Sequence, residues 1–456
     1  MSDNKHSGNA TWGSRFGYIM VAAGAAIGLG NVWKFPYLAY RGGGAVFLVT
    51  YILVAIILAK PMLEMESAIG RQGKSDTVSV FEKINRKWGF VGWISNICTL
   101  MINFYYVIVG GWVLRYALQF IVSGKFGDDA NEYFQRFITD PLQPIIWGMV
   151  LLGVVVILLF FGITNYVERV SKVILPALAI LLLICGIYAC FVVEGAAEGL
   201  KYYILPDFSK FSFKVFADAV TQVLFSVGIG WGIFTTLGAN LSEKNNIRAD
   251  ASLVGIADTA VAILAGFVII PAAYGAGVDI QKGPALIFDV MANIFSKLPL
   301  GRLFGAMFFV ALTFAVISSL FSFIEISVRT FEIKLGMGRK KAITVSTLII
   351  SIGNILVSLG FSSLSFIKLP WPSVGEIAFY NLYDWFDCFS GYVLLPLGCL
   401  LICIFTSRVW KWDAYENEVT SGGRDGRVTI WNKVNICLII PMLMVIVLLN
   451  VFGVIK

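Results

Sequence analysis

The sequence has little charge and almost no histidine. Asp, Glu, Lys and Arg make up only 14% of its 456 residues, whereas a soluble domain carries about 25%. The one histidine, His6, lies near the amino terminus, which excludes histidine-based catalysis and most transition-metal sites. No Cys-x-x-Cys pair occurs among the 7 cysteines, so the sequence indicates neither a zinc site nor a disulfide framework. Nor does any Ser/His or paired-Asp arrangement within the apolar stretches point to an enzyme.

Long apolar runs dominate instead. Hydrophobic residues make up 58% of the chain, and the mean hydropathy is +0.81. A helix needs about 20 apolar residues to cross a bilayer, so the sequence predicts an all-α polytopic membrane protein with about eleven transmembrane helices. The expected spans are 16–40, 44–70, 90–123, 144–162, 166–193, 215–241, 251–275, 302–332, 342–360, 379–406 and 432–454.

The basic residues predict an orientation. They flank the first span and follow the second, fourth, sixth, eighth and tenth spans, as with Arg71 and Lys244. Cytoplasmic loops are the basic ones, so we expect the amino terminus inside and, after an odd number of spans, the carboxyl terminus outside. The net charge of +7 fits such loops better than nucleic-acid binding.

Two spans carry signals of a broken helix. In the first, Gly24, Gly28 and Gly30 precede Asn31 and Lys34. Close packing of small residues explains the first two glycines but not the Asn and Lys that follow. Glycines also interrupt the sixth span, in the segment 222–232.

Helices broken at matching places in two halves are typical of inverted-repeat transporters. We therefore expect a five-plus-five inverted repeat whose helices 1 and 6 are unwound at mid-membrane. The expected parts are a cytoplasmic tail at 1–15, a first repeat at 16–193, a second at 215–406, and a last helix at 432–454.

The segment from Gly24 to Pro36, followed by Gly42-Gly43-Gly44-Ala45, resembles the neurotransmitter:sodium symporter family and its bacterial amino-acid branch. The resemblance continues through Tyr105-Tyr106, the segments 222–232 and 315–325, and the segment 384–391. It implies the fold of the bacterial leucine transporter, a location in the plasma membrane (the inner membrane in a bacterium), and sodium-driven amino-acid uptake.

Two sodium sites are implied by the resemblance. The first would comprise Ala26, Asn31, Ser226 and Asp258; the second would comprise Gly24, Ile27, Ala315, Ser318 and Ser319. An Asp within an apolar span is a functional candidate by default, although Asp258 could instead be an interfacial residue near Arg248 and Asp250. Adjacent serines in a membrane helix commonly just bond the preceding turn, so only the resemblance favours Ser318 and Ser319.

The resemblance also implies a substrate site. Its residues would be Ala25, Gly28, Gly30, Ile102, Tyr106, Val109, Phe225, Ser226, Gly228, Trp231 and Phe323. Glycine at position 28, where monoamine carriers have Asp, favours an amino acid over an amine. Gly228 would enlarge the pocket, whereas Trp231 and Phe323 would fill it again.

Gates on both sides are expected. Lys34 with Asp387 resembles the extracellular gate, with Tyr106 and Phe386 or Phe389 closing over the substrate. Lysine lacks the fork of the usual arginine, which predicts a looser or water-mediated pair.

On the cytoplasmic side, Trp12 is expected to act as a plug. Asn9, Ile333 and Asn240 stand where the family has its inner-gate residues. The simplest replacement is burial of Ile333 against Trp12, and a pair between Lys5 and Glu332 is the weaker alternative.

The resemblance thus implies a sodium-coupled symporter that takes up a neutral, hydrophobic or aromatic L-amino acid by alternating access. Chloride should not be needed, because Asp258 supplies a local negative charge. The expected partners are the amino acid, two sodium ions and the lipid bilayer, without nucleic acid and without a required oligomer. An amino-acid sensor or a channel-like protein on the same fold is the alternative.

Overall fold

The computed structural model describes residues 12–127, 129–161, 168–275, 287–297, 300–373, 376–421 and 426–454. In chain order the helices are α1 (Arg15–Ala26), α2 (Gly30–Arg41), α3 (Ala45–Gly73), α4 (Ser79–Ile84), α5 (Gly89–Val122), α6 (Ala130–Thr139), α7 (Gln143–Phe161), α8 (Glu168–Val192), α9 (Ala196–Ile204), α10 (Phe213–Val227), α11 (Ile233–Gly238), α12 (Ile247–Gly275), α13 (Ala292–Lys297), α14 (Gly301–Lys334), α15 (Arg339–Leu359), α16 (Leu382–Val409), α17 (Trp412–Val419) and α18 (Ile430–Val451).

Nine helices in the described part of the chain are long and apolar enough to cross a membrane, and the bent pair α1–α2 makes ten. The predicted count of eleven includes the stretch 215–241. The structure divides this stretch into α10 and α11, of 15 and 6 residues, and neither is long enough to cross alone. The prediction of an all-α polytopic membrane protein is therefore confirmed. An eleventh span is counted only if α10 and α11 together form one interrupted transmembrane element.

The first break follows α1. Helix α1 ends at Ala26, Ile27 has an extended backbone with ψ at 102°, and α2 resumes at Gly30 with a π-helical turn over Gly30–Lys34. The axes of α1 and α2 differ by 53°. The break leaves backbone N–H and C=O groups without partners inside the helix.

The second break lies between α10 and α11. Gly228, Gly230 and Gly232 have φ angles of +79°, +86° and +82°. Residues with a Cβ rarely adopt this left-handed region, so three glycines at alternate positions fix a non-helical connection.

Packing brings the two breaks together inside the bundle. Helix α1 packs against α8, α12 and α14, whereas α10 and α11 pack against α3. The π-helical turn of α2 contacts both α10 and α12. The interior of the bundle is therefore lined by the polar groups that the two breaks expose.

A β-hairpin was not predicted. Strands β1 (Leu369–Ser373) and β2 (Glu376–Tyr380) pair antiparallel, with Leu369 opposite Tyr380. The tenth span accordingly begins at Leu382 rather than at 379.

Candidate functional site

The break after α1 presents its backbone to the third span. The Tyr106 hydroxyl on α5 accepts the Leu29 N–H at 3.0 Å. The Gly28 N–H donates to Asn31 Oδ1, also at 3.0 Å. Two N–H groups that the broken helix leaves unpaired are thus engaged by side chains in the interior.

A buried carboxylate lies beside this break. Asp258 on α12 is fully buried, and Ser226 Oγ on α10 donates to it at 3.0–3.1 Å. Asn31 Nδ2 donates to Asp258 Oδ1 at 2.7 Å and to Ser226 Oγ at 2.9 Å, and the Tyr51 hydroxyl is 3.5 Å from Oδ2. A buried anion surrounded by neutral hydroxyl and amide groups suits a hard cation that prefers oxygen ligands.

Three of the four residues predicted for the first sodium site, namely Asn31, Ser226 and Asp258, are therefore in mutual contact. The fourth, Ala26, is the last residue of α1. The nitrogen of the Asn31 amide, rather than its oxygen, faces the carboxylate. Asp258 and Asp250 are both fully buried, so burial alone does not decide between the sodium site and the interfacial alternative for Asp258.

A second polar set lies where α14 crosses the end of α1. Ser319 Oγ donates to the carbonyls of Gly24 at 3.2 Å and Ile27 at 3.3 Å. Ser318 Oγ is 3.5 Å from the hydroxyl of Ser171 on α8. A Cβ on Gly24 would stand 2.5 Å from Ser318 Oγ, so glycine is needed there for the two helices to approach. The predicted set, completed by the buried Ala315, was Gly24, Ile27, Ala315, Ser318 and Ser319.

Aromatic rings enclose the space next to the broken helix. Tyr106 and Phe323 are edge-to-face with ring centroids 5.2 Å apart. Trp231 is 4.9 Å from Phe323 and 5.4 Å from Phe225. The four predicted aromatic residues thus form one continuous cluster. The predicted aliphatic and small neighbours are also buried: Ala25, Ile102 and Val109.

The glycines have different roles around this cluster. A Cβ on Gly28 would lie 2.3 Å from the Tyr106 hydroxyl, and one on Gly30 would lie 2.8 Å from the Phe225 ring. Both positions therefore face the cluster and require glycine. A Cβ on Gly228 would instead meet Ile233 at 2.9 Å, so glycine at position 228 ends α10 and does not by itself enlarge the space near the rings.

The residues of the predicted extracellular gate are in direct contact. Lys34 Nζ lies 3.1 and 3.2 Å from the two Asp387 carboxylate oxygens and 4.4 Å from the Phe225 ring centroid. The contact is therefore direct rather than water-mediated, and it is longer than the distance of about 2.7–2.9 Å that is usual for a charge-assisted hydrogen bond. The Lys34 ammonium group thus has two partners, the Asp387 carboxylate and the face of the Phe225 ring. Phe386 and Phe389 both pack on Trp385, and their closing over a substrate stays a prediction.

On the opposite side, Trp12 closes the amino-terminal end of the bundle. Its indole N–H donates to the Leu237 carbonyl of α11 at 3.2 Å, and its ring packs 5.8 Å from Tyr18. The predicted burial of Ile333 against Trp12 is wrong, because 46% of Ile333 is exposed. The expectations for Lys5 and Asn9 fall outside the described residues.

Two carboxylates missed by the sequence reasoning hold this end of α1. Glu168 on α8 accepts the Gly13 N–H at 3.2 Å and the Ser14 hydroxyl at 3.0 Å. On the other side, Arg15 Nε donates to Asp250 on α12 at 2.7 Å. These contacts, called here the α1 clamp, join α1 to α8 and α12 at the end of the bundle where the inner gate is expected.

A third missed carboxylate supports the second break. Glu66 on α3 is fully buried, and its Oε1 accepts the Gly230 N–H at 2.5 Å. The signal was present, because a carboxylate inside an apolar span is a functional candidate. Arg329 was also missed; it donates to Asn240 at 3.1 Å and so links α14 to the end of α11.

Comparison with known proteins gives a consistent result. The chain matches the Sodium:neurotransmitter symporter family over residues 9–126 and 138–456. It is 30% identical over 451 residues to the sodium-dependent transporter YhdH of Bacillus subtilis, covering 98% of both chains. It is 28% identical over 369 residues to the sodium- and chloride-dependent taurine transporter of Bos taurus, covering 69% of this chain and 59% of the relative.

The structural comparison extends over the same length. The crystal structure of MhsT in complex with L-phenylalanine superposes with a TM-score of 0.90 at 31% sequence identity. The match covers 98% of this chain and 100% of the MhsT chain.

Proposed function

Because the chain belongs to the sodium:neurotransmitter symporter family, we propose that it imports a neutral L-amino acid together with sodium ions by alternating access. Sodium-coupled transport is the activity common to its relatives, and an enzyme is not indicated. The finer proposal is that the substrate has a hydrophobic or aromatic side chain and that chloride is not required.

The observation that carries the proposal is the junction of the broken α1–α2 helix with Tyr106 and Asp258. The Leu29 N–H and the Tyr106 hydroxyl lie 3.0 Å apart and together offer donors to a substrate carboxylate. Carbonyls at the break, including that of Ala25, and those of Phe225 and Ser226 would accept the substrate ammonium group. A half-helix amino terminus favours a carboxylate through its aligned N–H groups.

Sodium would bind next to this carboxylate. Asp258, Ser226 and the Ala26 carbonyl supply oxygens, and the substrate carboxylate would complete the set. Asn31 would join through its amide oxygen, which requires the amide to rotate by half a turn from the orientation that now donates to Asp258. An ion that shares a ligand with the substrate couples the two binding events directly.

The second sodium ion would bind where α14 crosses α1. The carbonyls of Gly24 and Ile27 already lie within 3.3 Å of the Ser319 hydroxyl. Neutral oxygens from hydroxyl and carbonyl groups suit sodium, which is a hard cation. This site needs no substrate, so it would act through the position of α1.

The side-chain preference follows from the aromatic cluster. Phe225, Trp231 and Phe323 present apolar faces around the space beside Gly28. The MhsT structure contains L-phenylalanine, which supports an aromatic ligand for a chain of the same fold. A carboxylate on the substrate side chain would meet the electron-rich faces of these rings, which disfavour an anion.

Chloride independence rests on Asp258. In the chloride-dependent members the resemblance places the anion near Tyr51, Gln222 and Ser226. Here Asp258 already brings a negative charge within 3.5 Å of Tyr51 and 3.1 Å of Ser226. A fixed carboxylate would balance the sodium charge without a mobile anion.

Alternating access would use the contacts at the two ends of the bundle, which are the predicted extracellular gate and the α1 clamp with Trp12. The proposed repeats, 16–193 and 215–406, would rock against each other, with the amino terminus in the cytoplasm and the carboxyl terminus outside. Lys34 with Asp387 would open toward the outside, and the α1 clamp with Trp12 would open toward the cytoplasm. No oligomer is required, because each element of the proposed sites belongs to one chain.

A thermal-shift screen of the twenty amino acids, with and without sodium, tests the substrate class. A ligand that binds only the folded protein raises its melting temperature, and we expect the largest sodium-dependent shift from an aromatic or large aliphatic amino acid. Uptake into proteoliposomes then tests the function. Accumulation against a gradient supports a symporter, whereas binding without accumulation supports a sensor and downhill flux alone supports a channel.

A further inference from the structure

An arginine connects two helices at the end of the bundle that Trp12 closes. Arg329 lies on α14, one turn before this helix ends at Lys334, and its Nη1 donates to Asn240 Oδ1 at 3.1 Å. Asn240 follows α11, and the Leu237 carbonyl of α11 accepts the Trp12 indole N–H. Two hydrogen bonds therefore meet the same turn of chain, one from the amino-terminal segment and one from α14.

The two elements that Arg329 connects are held differently. Helix α14 is a continuous helix of 34 residues that packs against α5, α8 and α15. Helix α11 has only 6 residues and is attached through the glycine break at 228–232, where positive φ angles fix a non-helical connection. A short half-helix behind such a break can change its direction while α14 keeps its place.

The charge of Arg329 is balanced by groups outside α11. Glu325 and Glu332 lie one turn before and one turn after it on α14, and the buried Asp76 is a third acidic neighbour. Arg339 is the opposing cation; it donates to Glu325 at 2.7 and 2.8 Å and to Glu332 at 3.2 Å. Among the described residues, three carboxylates therefore face two guanidinium groups on the α14 side of the contact.

Breaking the contact with Asn240 would therefore leave no cation without a counter-ion. The Asn240 amide is neutral, so the contact is a hydrogen bond to one charged group rather than an ion pair. Such a bond favours the closed arrangement by a factor of about 10–100. Separating a buried ion pair is much more costly, so a charge–amide bond suits a contact that has to form and break repeatedly.

We propose that Arg329 is a gating residue. Its bond to Asn240 holds α11 against α14 in the closed state and breaks when the protein opens to the cytoplasm. The positive charge of the inner closure thus comes from α14 rather than from the amino-terminal tail. This inference rests on the proposed alternating access, but the contact can be tested by measurements that need no transport.

Hydrogen–deuterium exchange of the purified full chain, read in the peptide covering residues 233–241, tests the contact. Arg329→Gln loses the bond, so exchange of this peptide should accelerate about tenfold wherever it occurs through the open state. Asn240→Ala should accelerate exchange to the same extent, and the double variant should add little because both act on one contact. The matched control Arg86→Gln, at an exposed arginine just before α5, should exchange like the wild type.

A further variant separates gating from a merely structural role. Asn240→Asp turns the contact into an ion pair, so exchange of residues 233–241 should slow by up to about fivefold. If α1 and α11 open together, exchange of residues 12–26 should slow as well. In the Arg329→Gln background, Asn240→Asp should have neither effect.

Three results would overturn the inference. The first is wild-type exchange of residues 233–241 in Arg329→Gln or in Asn240→Ala. The second is slower exchange from Asn240→Asp in the absence of Arg329, and the third is slowing confined to residues 233–241. Uptake by the wild-type protein tests the proposed function separately, so a failure of transport and a failure of this gate can be told apart.

Discussion

Replacing Glu168 by glutamine should release the amino-terminal end of α1. The carboxylate accepts hydrogen bonds from the Gly13 N–H, the Ser14 hydroxyl and Lys172 Nζ, at 3.2, 3.0 and 2.7 Å. Glutamine retains one acceptor oxygen but turns an NH₂ group toward these donors. The side chain is only 8% exposed, so water replaces the lost contacts poorly.

The size of the effect follows from these bonds. Hydrogen bonds to a charged group contribute about 1.5–3 kcal/mol each, and glutamine keeps part of this. A net loss of about 1–2 kcal/mol shifts the equilibrium between clamped and released α1 by about 5–30-fold. Hydrogen–deuterium exchange of the peptide covering residues 12–26 should therefore accelerate by about that factor wherever exchange occurs through the released state.

A second variant reaches the same contact without changing charge. A Cβ on Gly17 would stand 1.9 Å from Glu168 Oε1, so Gly17→Ala must push the carboxylate away from Gly13 and Ser14. Exchange should accelerate as in Glu168→Gln, and the double variant should show little further change because both act on one contact. The matched control Glu198→Gln, at an exposed site on α9, should exchange like the wild type. Wild-type exchange in both Gly17→Ala and Glu168→Gln would refute the clamp.

The remaining predictions concern substrate, ions and the opposite closure. Gly28→Asp should abolish amino-acid binding in a scintillation-proximity assay, because its carboxylate would meet the Tyr106 hydroxyl where the substrate carboxylate belongs; binding retained within a factor of a few would exclude that position. Uptake should be equal in gluconate and chloride buffers, and should fall in Asp258→Asn as the affinity for sodium falls; a chloride requirement in the unmodified protein would contradict the role given to Asp258. Lys34→Met should make the substrate dissociate faster toward the outside, because Asp387 loses a partner at 3.1 Å; unchanged dissociation in a washout experiment would show that this contact does not hold the closure.

The helices and the contacts among the residues of the candidate site could be predicted from the sequence, because their signals are local or carried by a family motif. Glycines mark both breaks directly, and an Asp within an apolar run marks position 258. The motif residues then converge as expected, since Asn31, Ser226 and Asp258 lie within hydrogen-bonding distance.

The α1 clamp could not be predicted in this way. Glu168 and Gly13 are 155 positions apart, and neither belongs to a pattern that names a partner. Ile333 was assigned a buried role by alignment to the family, but the turn of α14 that carries it leaves it exposed. The hairpin could not be predicted because prolines occupy positions 370 and 372. Proline is unfavourable in most strands, although an edge strand tolerates it.

Helix α1 carries both the clamp and the carbonyls of the proposed second sodium site, which has a thermodynamic consequence. Gly24 and Ile27 meet Ser319 at one end, and Ser14 meets Glu168 at the other, about 15–20 Å apart along the helix. If sodium at the first end favours the clamped position, the clamp must favour sodium by the same factor. The factor by which saturating sodium slows exchange of residues 12–26 in the wild type is therefore the upper limit for the loss of sodium affinity in Glu168→Gln, which releases the helix only in part. Sodium could slow exchange strongly while Glu168→Gln leaves sodium affinity unchanged, or the reverse. Either result would mean that an element other than α1 connects the sodium site to the clamp.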